Sequence, residues 1–318
     1  MERPEPYRGW KRYAAAALRV MLRTYVRYAP WDAFKAAAYR MFERYVAWQP
    51  HSAVTRTQYG FRMRTQITDL LSCAIYLTGR WEPFLTTYIR SRLRPGDVFV
   101  DVGANIGYYS LLASRLVGSS GRVYSIEAST SNHAALLENI GLNHRNNIVA
   151  INAAAAATAG EVVIWQADER NLGHNTTVAT LATAEGMKPE ASVRGDTVDQ
   201  LVGPDVFRRA RIVKVDVEGA ERSVLTPLLG CPTALGDDTE WLIELTPDYL
   251  QHGQRDAEWI FNSFTALGYT AYVVPNSYSV SGYLARARTV TLSRVTEAPA
   301  HQADVLFRRE PPRAGRLG

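Results

Sequence analysis

The chain has 318 residues, 47% hydrophobic and 21% charged, with a formal net charge of +5 and two cysteines, Cys73 and Cys231. That balance excludes a disordered chain, and two cysteines outside any CxxC pattern exclude a disulfide framework or a cysteine-held metal. No run approaches the roughly 18 apolar residues of a spanning helix, and the alanine-rich run between Arg12 and Arg19 is no signal peptide, so the expectation is a cytoplasmic protein.

The charge is unevenly placed. Residues 1–60 hold 11 Lys/Arg against 4 Asp/Glu, a net of +7, so the rest of the chain carries a net −2. The basicity belongs to the N-terminal segment, and a nucleic-acid partner is not expected. Residues 10–48 read as two helices. Leu18, Met21, Leu22, Tyr25 and Val26 form one apolar stripe, and Pro30 breaks it. Asp32 is placed to cap a second helix, with Phe34, Met41, Tyr45 and Trp48 on one face. Such a pair serves as a cap on the core, as a homodimer contact, or as a basic surface for peripheral contact with a membrane or a carrier protein.

Residues 51–90 contain a strand pair turning near Gly60, a helix over Asp69–Leu77 and, after the break at Trp81-Glu82-Pro83, a helix over Phe84–Leu93. Strands then alternate with helices. Val98–Val102 is an apolar run fit for a strand buried on both faces, followed by a tight turn and a helix over Tyr108–Val117. Further strands are expected at Arg122–Ile126, Ile148–Asn152, Ile212–Val217, Trp241–Leu245, Tyr269–Val274 and Ala303–Phe307, with an inserted strand at Glu161–Trp165 and a polar loop over Gln166–Thr177. The fold class is α/β: a doubly wound, mainly parallel, seven-stranded, Rossmann-like sheet with an N-terminal helical extension.

The chemistry concentrates at the strand ends. The first turn reads Asp101-Val-Gly103-Ala-Asn105-Ile-Gly107, at the sheet edge where open α/β folds bind ligands. Its glycines allow a sharp turn and close backbone approach. Asn105 stands where a dinucleotide fingerprint needs its second glycine, and Asp101 is poor company for a diphosphate, so an NAD-dependent oxidoreductase is the weaker alternative. Glu127 ends the second strand, 24 residues beyond Gly103, the distance at which an acid meets ribose hydroxyls. At the end of the fourth strand, Lys214, Asp216 and Glu218 alternate and would point to one face. Charges on a buried strand must be paired or functional.

The strings Asp101–Gly107 (DVGANIG), Lys214–Glu221 (KVDVEGAE) and Trp241–Leu245 (WLIEL), with Glu127, resemble the FkbM family of S-adenosylmethionine (SAM)-dependent methyltransferases. Tyr59-Gly60, Trp81-Glu82-Pro83, Thr197-Val198-Asp199 and Ala303–Phe307 extend the resemblance over about residues 54–309. One departure is Glu127-Ala128-Ser129, where the family often has a proline motif. The resemblance implies a class I methyltransferase domain, set over 91–309; charge, spacing and composition add a basic helical extension (1–50), a lead-in segment (51–90) and, in the Pro-, Gly- and Arg-rich end, a disordered tail over 310–318. It implies O-methylation of a sugar, polyketide or other secondary metabolite, with SAM converted to S-adenosyl-L-homocysteine. Within it, Glu82, Asp101 and Asn105, with Gly103, Gly107 and Asp216 around them, would hold the methionine end of SAM, Glu127 the ribose, and Ala153 and Ala154 would flank the adenine.

A neutral alcohol is a weak nucleophile, so a base or a metal should take its proton. His174, in the polar loop, is the favoured base because it titrates near neutrality; Asp216 and Glu218, beside Lys214, compete with it. Asp216, Glu218 and Glu244 could instead hold Mg²⁺, but no dedicated metal spacing is present and no metal is assigned. Tyr278 and Tyr283, in the 275–300 loop, either stack on the acceptor or simply pack. The same residues are compatible with N-methylation of an amide or amine, and with a non-catalytic SAM-binding role.

Overall fold

The computed structural model describes residues 7–166, 175–231 and 235–310. Of the tail expected to be disordered over 310–318, residues 311–318 lie outside them, as does His174, while Glu310 is described and accepts from Tyr272. The chain opens with α1 (Trp10–Tyr28) and α2 (Lys35–Tyr45), then the antiparallel hairpin β1 (Ser52–Arg56) and β2 (Arg62–Gln66). Helices α3 (Leu70–Thr78) and α4 (Pro83–Arg92) lead into β3 (Val98–Val102), α5 (Tyr108–Val117), β4 (Arg122–Glu127), α6 (Thr130–Leu142) and β5 (Ile148–Asn152). An insertion of β6 (Ala154–Ala155), β7 (Gly160–Gln166), α7 (Ala179–Ala184) and β8 (Lys188–Asp196) follows, then short α8 (Val198–Val202) and α9 (Pro204–Phe207). The last part runs β9 (Ala210–Val215), α10 (Glu221–Leu229), β10 (Glu240–Leu245), α11 (Gln254–Ala266), β11 (Thr270–Val274), α12 (Val280–Leu284), β12 (Ser293–Val295) and β13 (Ala303–Arg308).

Local chemistry sets several of these ends. Asp69 caps α3 by accepting from the Ser72 amide at 2.9 Å, and Ser129 caps α6 through the Asn132 amide at 3.2 Å. Asp32 does not cap α2. That position falls to Phe34, in the left-handed region at φ 62°, while the Asp32 carboxylate pairs with Lys35 and Arg286.

The central sheet has the order β12-β11-β13-β10-β9-β3-β4-β5. β5, β4, β3, β9 and β10 are parallel, and β13 runs against both of its neighbours, β10 and β11. The chain winds outward from β3 in both directions, which gives the doubly wound, mainly parallel architecture. The sheet has eight strands rather than seven, because Ser293–Val295 adds an antiparallel edge strand. Three residues reading Ser-Arg-Val are too few to show a period. β6, β8 and β7 form a separate small sheet. Only β7 is legible in the sequence, since Lys188–Asp196 shows little apolar alternation.

Alternation along the strands builds one core on each face. Phe99, Val123, Ile212, Leu242 and Leu306 point to the face covered by α3, α4 and α5. Val100, Val213, Trp241, Ile243 and Val305 point to the other, against Val224 of α10 and Ile260 and Phe264 of α11. The inner side of α1 joins the first core through Leu22 and Val26, with Leu18 and Tyr25 packed beside them, whereas Met21 is exposed. For α2 the expected face is reversed. Ala38, Tyr39, Phe42 and the stem of Lys35 are buried, while Phe34, Met41 and Tyr45 are exposed.

At the amino end of β10, buried Glu240 accepts from Tyr88 at 2.8 Å, from Arg92 Nε at 2.9 Å and from Arg211 at 3.1 Å, tying α4 to the sheet. The two arginines are partly solvated, which moderates the cost of breaking the cluster. Glu240→Ala is expected to destabilise the fold by about 3 kcal/mol in urea unfolding, at the lower end for a buried pair losing one partner.

Candidate active site

A cavity of about 320 Å³ opens at the carboxyl ends of β3, β4, β9 and β10. This is the edge where a doubly wound sheet leaves room between diverging connections. Its wall is built first by the turn after β3. Gly103 has φ 81°, and a Cβ there would lie 1.7 Å from the carbonyl oxygen of Asp216. The constraint that requires glycine is therefore the neighbouring strand end. Gly107, at φ 90°, packs against Leu136, whose Cδ1 would lie 2.4 Å from a Cβ there, and it does not line the cavity. Asn105 takes a left-handed φ of 51° and lines the wall. Glu127, at the end of β4, accepts from the amides of Asn105 at 2.7 Å and Ser129 at 2.9 Å. Burial pushes its carboxyl up to about 7 despite those two donors. Ala153 and Ala154, after β5, line the same side with small side chains.

The opposite side is a row of charges on one face of the sheet. Asp101 stands beside Lys214 across β3 and β9, and Glu244 beside Asp304 across β10 and β13. Asp101, Lys214, Glu244 and Asp304 share the parity of Phe99, Ile212, Leu242 and Leu306, so all four point toward α4 and α5. β9 ends at Val215, so Asp216 and Glu218 lie in the connection after it and not on the strand with Lys214. The Lys214 ammonium still reaches back to Asp216 Oδ2 at 2.7 Å and sits 5.1 Å from the centre of the Tyr109 ring. Glu82, in a left-handed conformation ahead of α4, accepts from Tyr109 and, at 2.8 Å, from Tyr278. Tyr278 is also 2.8 Å from Glu244 Oε1, the same oxygen that accepts from the Gln302 amide at 2.5 Å. A phenol has one hydrogen, so Tyr278 can bond both carboxyl groups only if one of them is protonated.

The electrostatics agree. Burial alone would lower Lys214, but Asp216, Asp101 and Glu82 together push it well up. Burial pushes Asp216 up, and the Lys214 ammonium together with a hydrogen bond from Glu244 offsets that, holding it below the usual carboxylate range. Burial, with Asp216 beside it, pushes Glu244 well up, burial with Glu82 nearby takes Asp304 to about 8, and burial takes Asp101 to about 6. Asp101 lies beneath the cavity rather than on its wall. Its Oδ2 accepts from Ser110 at 2.5 Å, and its Oδ1 is buried without a partner.

The structure thus brings Glu82, Gly103, Asn105, Glu127, Ala153, Ala154, Lys214, Asp216 and Glu218 to one cavity, and leaves Asp101 and Gly107 just behind it. Carboxylate oxygens of Asp216, Glu218 and Glu244 lie within 4.8 Å of one another. Asn175 and Thr176 line the rim; the Thr176 hydroxyl donates to the Glu218 carbonyl at 2.7 Å, which fixes this end of the insertion over the site. Sequence reasoning missed Tyr109 and Asp304. Their signals were slight: a tyrosine two residues past the glycine turn, and one acid in an otherwise apolar strand.

Residues 101–270, more than half of the chain, match the methyltransferase FkbM domain. The chain belongs to that family of SAM-dependent methyltransferases. Among curated proteins none matches. Similar solved structures include a SAM-dependent O-methyltransferase from Thermotoga maritima (15% identity, 86% of this chain and 83% of that chain, TM-score 0.39). TYW2 of M. jannaschii in complex with AdoMet is similar at 16% identity, over 82% of this chain and 86% of that one, with a TM-score of 0.39. Precorrin-6y C5,15-methyltransferase from Geobacter metallireducens is similar at 11% identity, over 71% and 86%, with a TM-score of 0.39. Likeness at this level leaves the acceptor to the site's own chemistry.

Two outcomes follow for the FkbM-domain site. Lys214→Met strands the carboxyl groups around it and is expected to cost about 3–5 kcal/mol in chemical denaturation. Glu127 is raised from 4.5 to about 7 in the fold, so its contribution to stability is fully present below its unfolded value and is lost as pH rises through about 7. Melting temperature should therefore fall between these pH values, and Glu127→Gln should flatten that slope; a parallel slope in the variant would show that other groups dominate.

Proposed function

We propose that this FkbM-domain methyltransferase transfers the methyl group of SAM to a hydroxyl of a small molecule or glycan, releasing S-adenosyl-L-homocysteine. The observation that carries the reading is a charge imbalance. Five carboxyl groups, those of buried Glu82, Asp101, Glu244 and Asp304 and of partly buried Asp216, surround the single ammonium of Lys214 in this cluster. A set this rich in carboxyl oxygens, with Asp216 ionised and the others able to release a proton to an incoming cation, fits the ammonium of the amino-acid end of SAM, and the orphaned Asp101 Oδ1 leaves an acceptor over. When bound, the cofactor supplies an electrophilic methyl group on a sulfonium.

The chain's own residues do the rest. Glu82, Asp101, Asn105 and Asp216 would hold the methionine end, with Gly103 and Gly107 shaping the turn. Glu127, pinned by two loop amides, would keep its remaining lone pairs for ribose hydroxyls. Ala153 and Ala154 would leave room for the adenine. Trp81, Tyr249, Tyr278 and Gln302 give the acceptor side ring faces and polar tips, a combination that suits a polyhydroxylated acceptor.

Asp216 is our candidate for the proton acceptor, because Lys214 keeps it ionised within the cavity. Glu218 stands close enough to share that work, and Lys214 acts by positioning. His174 is the second candidate; what supports it is that Asn175, the next residue, lines the rim. Asp216, Glu218 and Glu244 stand close enough to share a Mg²⁺, but proton transfer to Asp216 does not require one.

Calorimetry with S-adenosylhomocysteine should show binding that Asp101→Ala and Glu127→Ala weaken; no binding to the unsubstituted protein would sink the proposal. With an acceptor in hand, Asp216→Asn should lower turnover by about 10²–10⁴. If His174→Ala does so instead, the proton goes to the histidine. NMR of the product distinguishes an O-methyl from an N-methyl group.

A further inference from the structure

The N-terminal helix pair carries a surface that neither the core nor the active site uses. Helix α1 is apolar on two opposite sides. Its inner side packs on the core through Leu22 and Val26. Its outer side carries Trp10, Tyr13, Val20, Met21 and Tyr28, with Ala17 and Thr24 between them, spaced three or four apart and without a charge. Trp31 and Phe34 extend the patch over the turn into α2, and Met41 and Tyr45 continue it along that helix. The seven residues from Trp10 to Phe34 are each between 59% and 78% exposed.

The concentration is what needs explaining. Among the described residues, nine of the fifteen exposed large hydrophobic side chains fall within residues 10–45. Scattered exposed apolar residues are normal, whereas a contiguous patch marks an interaction surface. Six of the nine are Trp, Tyr or Phe, the side chains that suit a boundary between oil and water.

We infer that this face docks the protein on the surface of an anionic lipid bilayer. Charge complementarity selects that occupant. Exposed Arg8, Lys11 and Arg12 stand at one end of the patch, and exposed Arg40 and Arg44 within it. Asp32 is already paired with Lys35 and Arg286. Glu43 is the one other exposed acid on this pair of helices, so a second copy brought face to face would set Arg8, Lys11, Arg12, Arg40 and Arg44 against mostly like charge, whereas lipid phosphates would meet opposite charge. No helix among the described residues is long and apolar enough to cross a membrane, and a helix pair of this composition lies in the headgroup plane. Arg23 and Arg27 are turned inward, donating to the carbonyls of Tyr76 and Arg56, so they fasten α1 to the body and leave the outer side to the lipid.

The helix pair is also coupled to the cavity. Tyr39 of α2 stacks on Tyr283 at 5.9 Å, Tyr283 on Trp81 at 5.5 Å, and Trp81 meets Tyr278 at 6.1 Å. Trp81 and Tyr278 line the cavity.

Flotation of the full chain with phosphatidylcholine vesicles, with and without about one-third phosphatidylglycerol, tests the inference. Binding is expected to the anionic vesicles only and to weaken in about 0.5 M salt. A combined Trp10→Ser, Tyr13→Ser, Trp31→Ser, Phe34→Ser variant should reduce the bound fraction at least tenfold, as should Arg40→Glu with Arg44→Glu, both with unchanged melting and S-adenosylhomocysteine affinity. No binding to anionic vesicles, equal binding to neutral ones, or binding untouched by these substitutions would overturn it. So would light scattering that shows a dimer which the serine variant dissociates, since the face would then belong to a second copy.

Discussion

The structure of this site depends on one buried ammonium. Lys214 lies one residue from the end of central strand β9, next to Asp101 in register and 2.7 Å from Asp216. A lysine on a strand buried on both faces is unfavourable unless its surroundings favour the charge. Here they do so in excess, and the excess reaches outward. Burial and the neighbouring acids push Glu244 and Asp304 up toward the protonated form, Tyr278 bridges Glu82 and Glu244, and Tyr109 turns its ring to Lys214 and its hydroxyl to Glu82. The turn ahead of α4, β3 and α5, the ends of β9 and β10, and the loop before α12 are thereby joined through one polar cluster. A fold stabilised mainly by two apolar cores holds there a charge pattern that those cores would not select.

Backbone strain gathers at the same place. Glu82, Asn105 and Glu218 all have positive φ, at 39°, 51° and 48°, and all three line the cavity. Non-glycine residues rarely adopt that region, and they hold it only where the surroundings over-determine them. Asn105 is held by the carboxylate of Glu127 on its amide, and the turn at Glu218 by Glu221, which accepts from the amides of Val217 and Gly219 at 3.2 Å. Burial takes Glu221 up to about 8 all the same. These acids shape the turns that carry the functional ones, so a sequence rich in carboxylates near the strand ends overstates how many of them face the ligand.

That distinction separates what could be read from the residues alone from what could not. The parallel strands were legible because each is a short apolar run bounded by turn residues. β3 and β5 have the bounds expected, Val98–Val102 and Ile148–Asn152. The loop residues were legible as a group because glycine, acid and asparagine in that order have few uses. Their individual places were not. Asp101 belongs to a strand and faces down beneath the cavity, while Gly103 is constrained by a carbonyl beyond the end of another strand that no local pattern reveals. Glu244 and Asp304 become partners only through the antiparallel insertion of β13 between β10 and β11, a matter of sheet order. Edge strand β12 and strand β8 escaped because neither alternates.

The N-terminal helices show the limit of periodicity in another form. A period of 3.6 identifies an apolar face, and it does not say which partner that face meets. In α2 the more apolar-looking set, Phe34, Met41 and Tyr45, is outside, and the set containing Lys35 is inside, because the lysine stem packs while its ammonium reaches Asp32 at 3.1 Å. In α1 both faces are apolar, and the structure of a single chain supplies a partner for one. An element whose sequence is patterned for two partners, in a fold that provides one, carries in its outer face information about the surroundings in which the fold works.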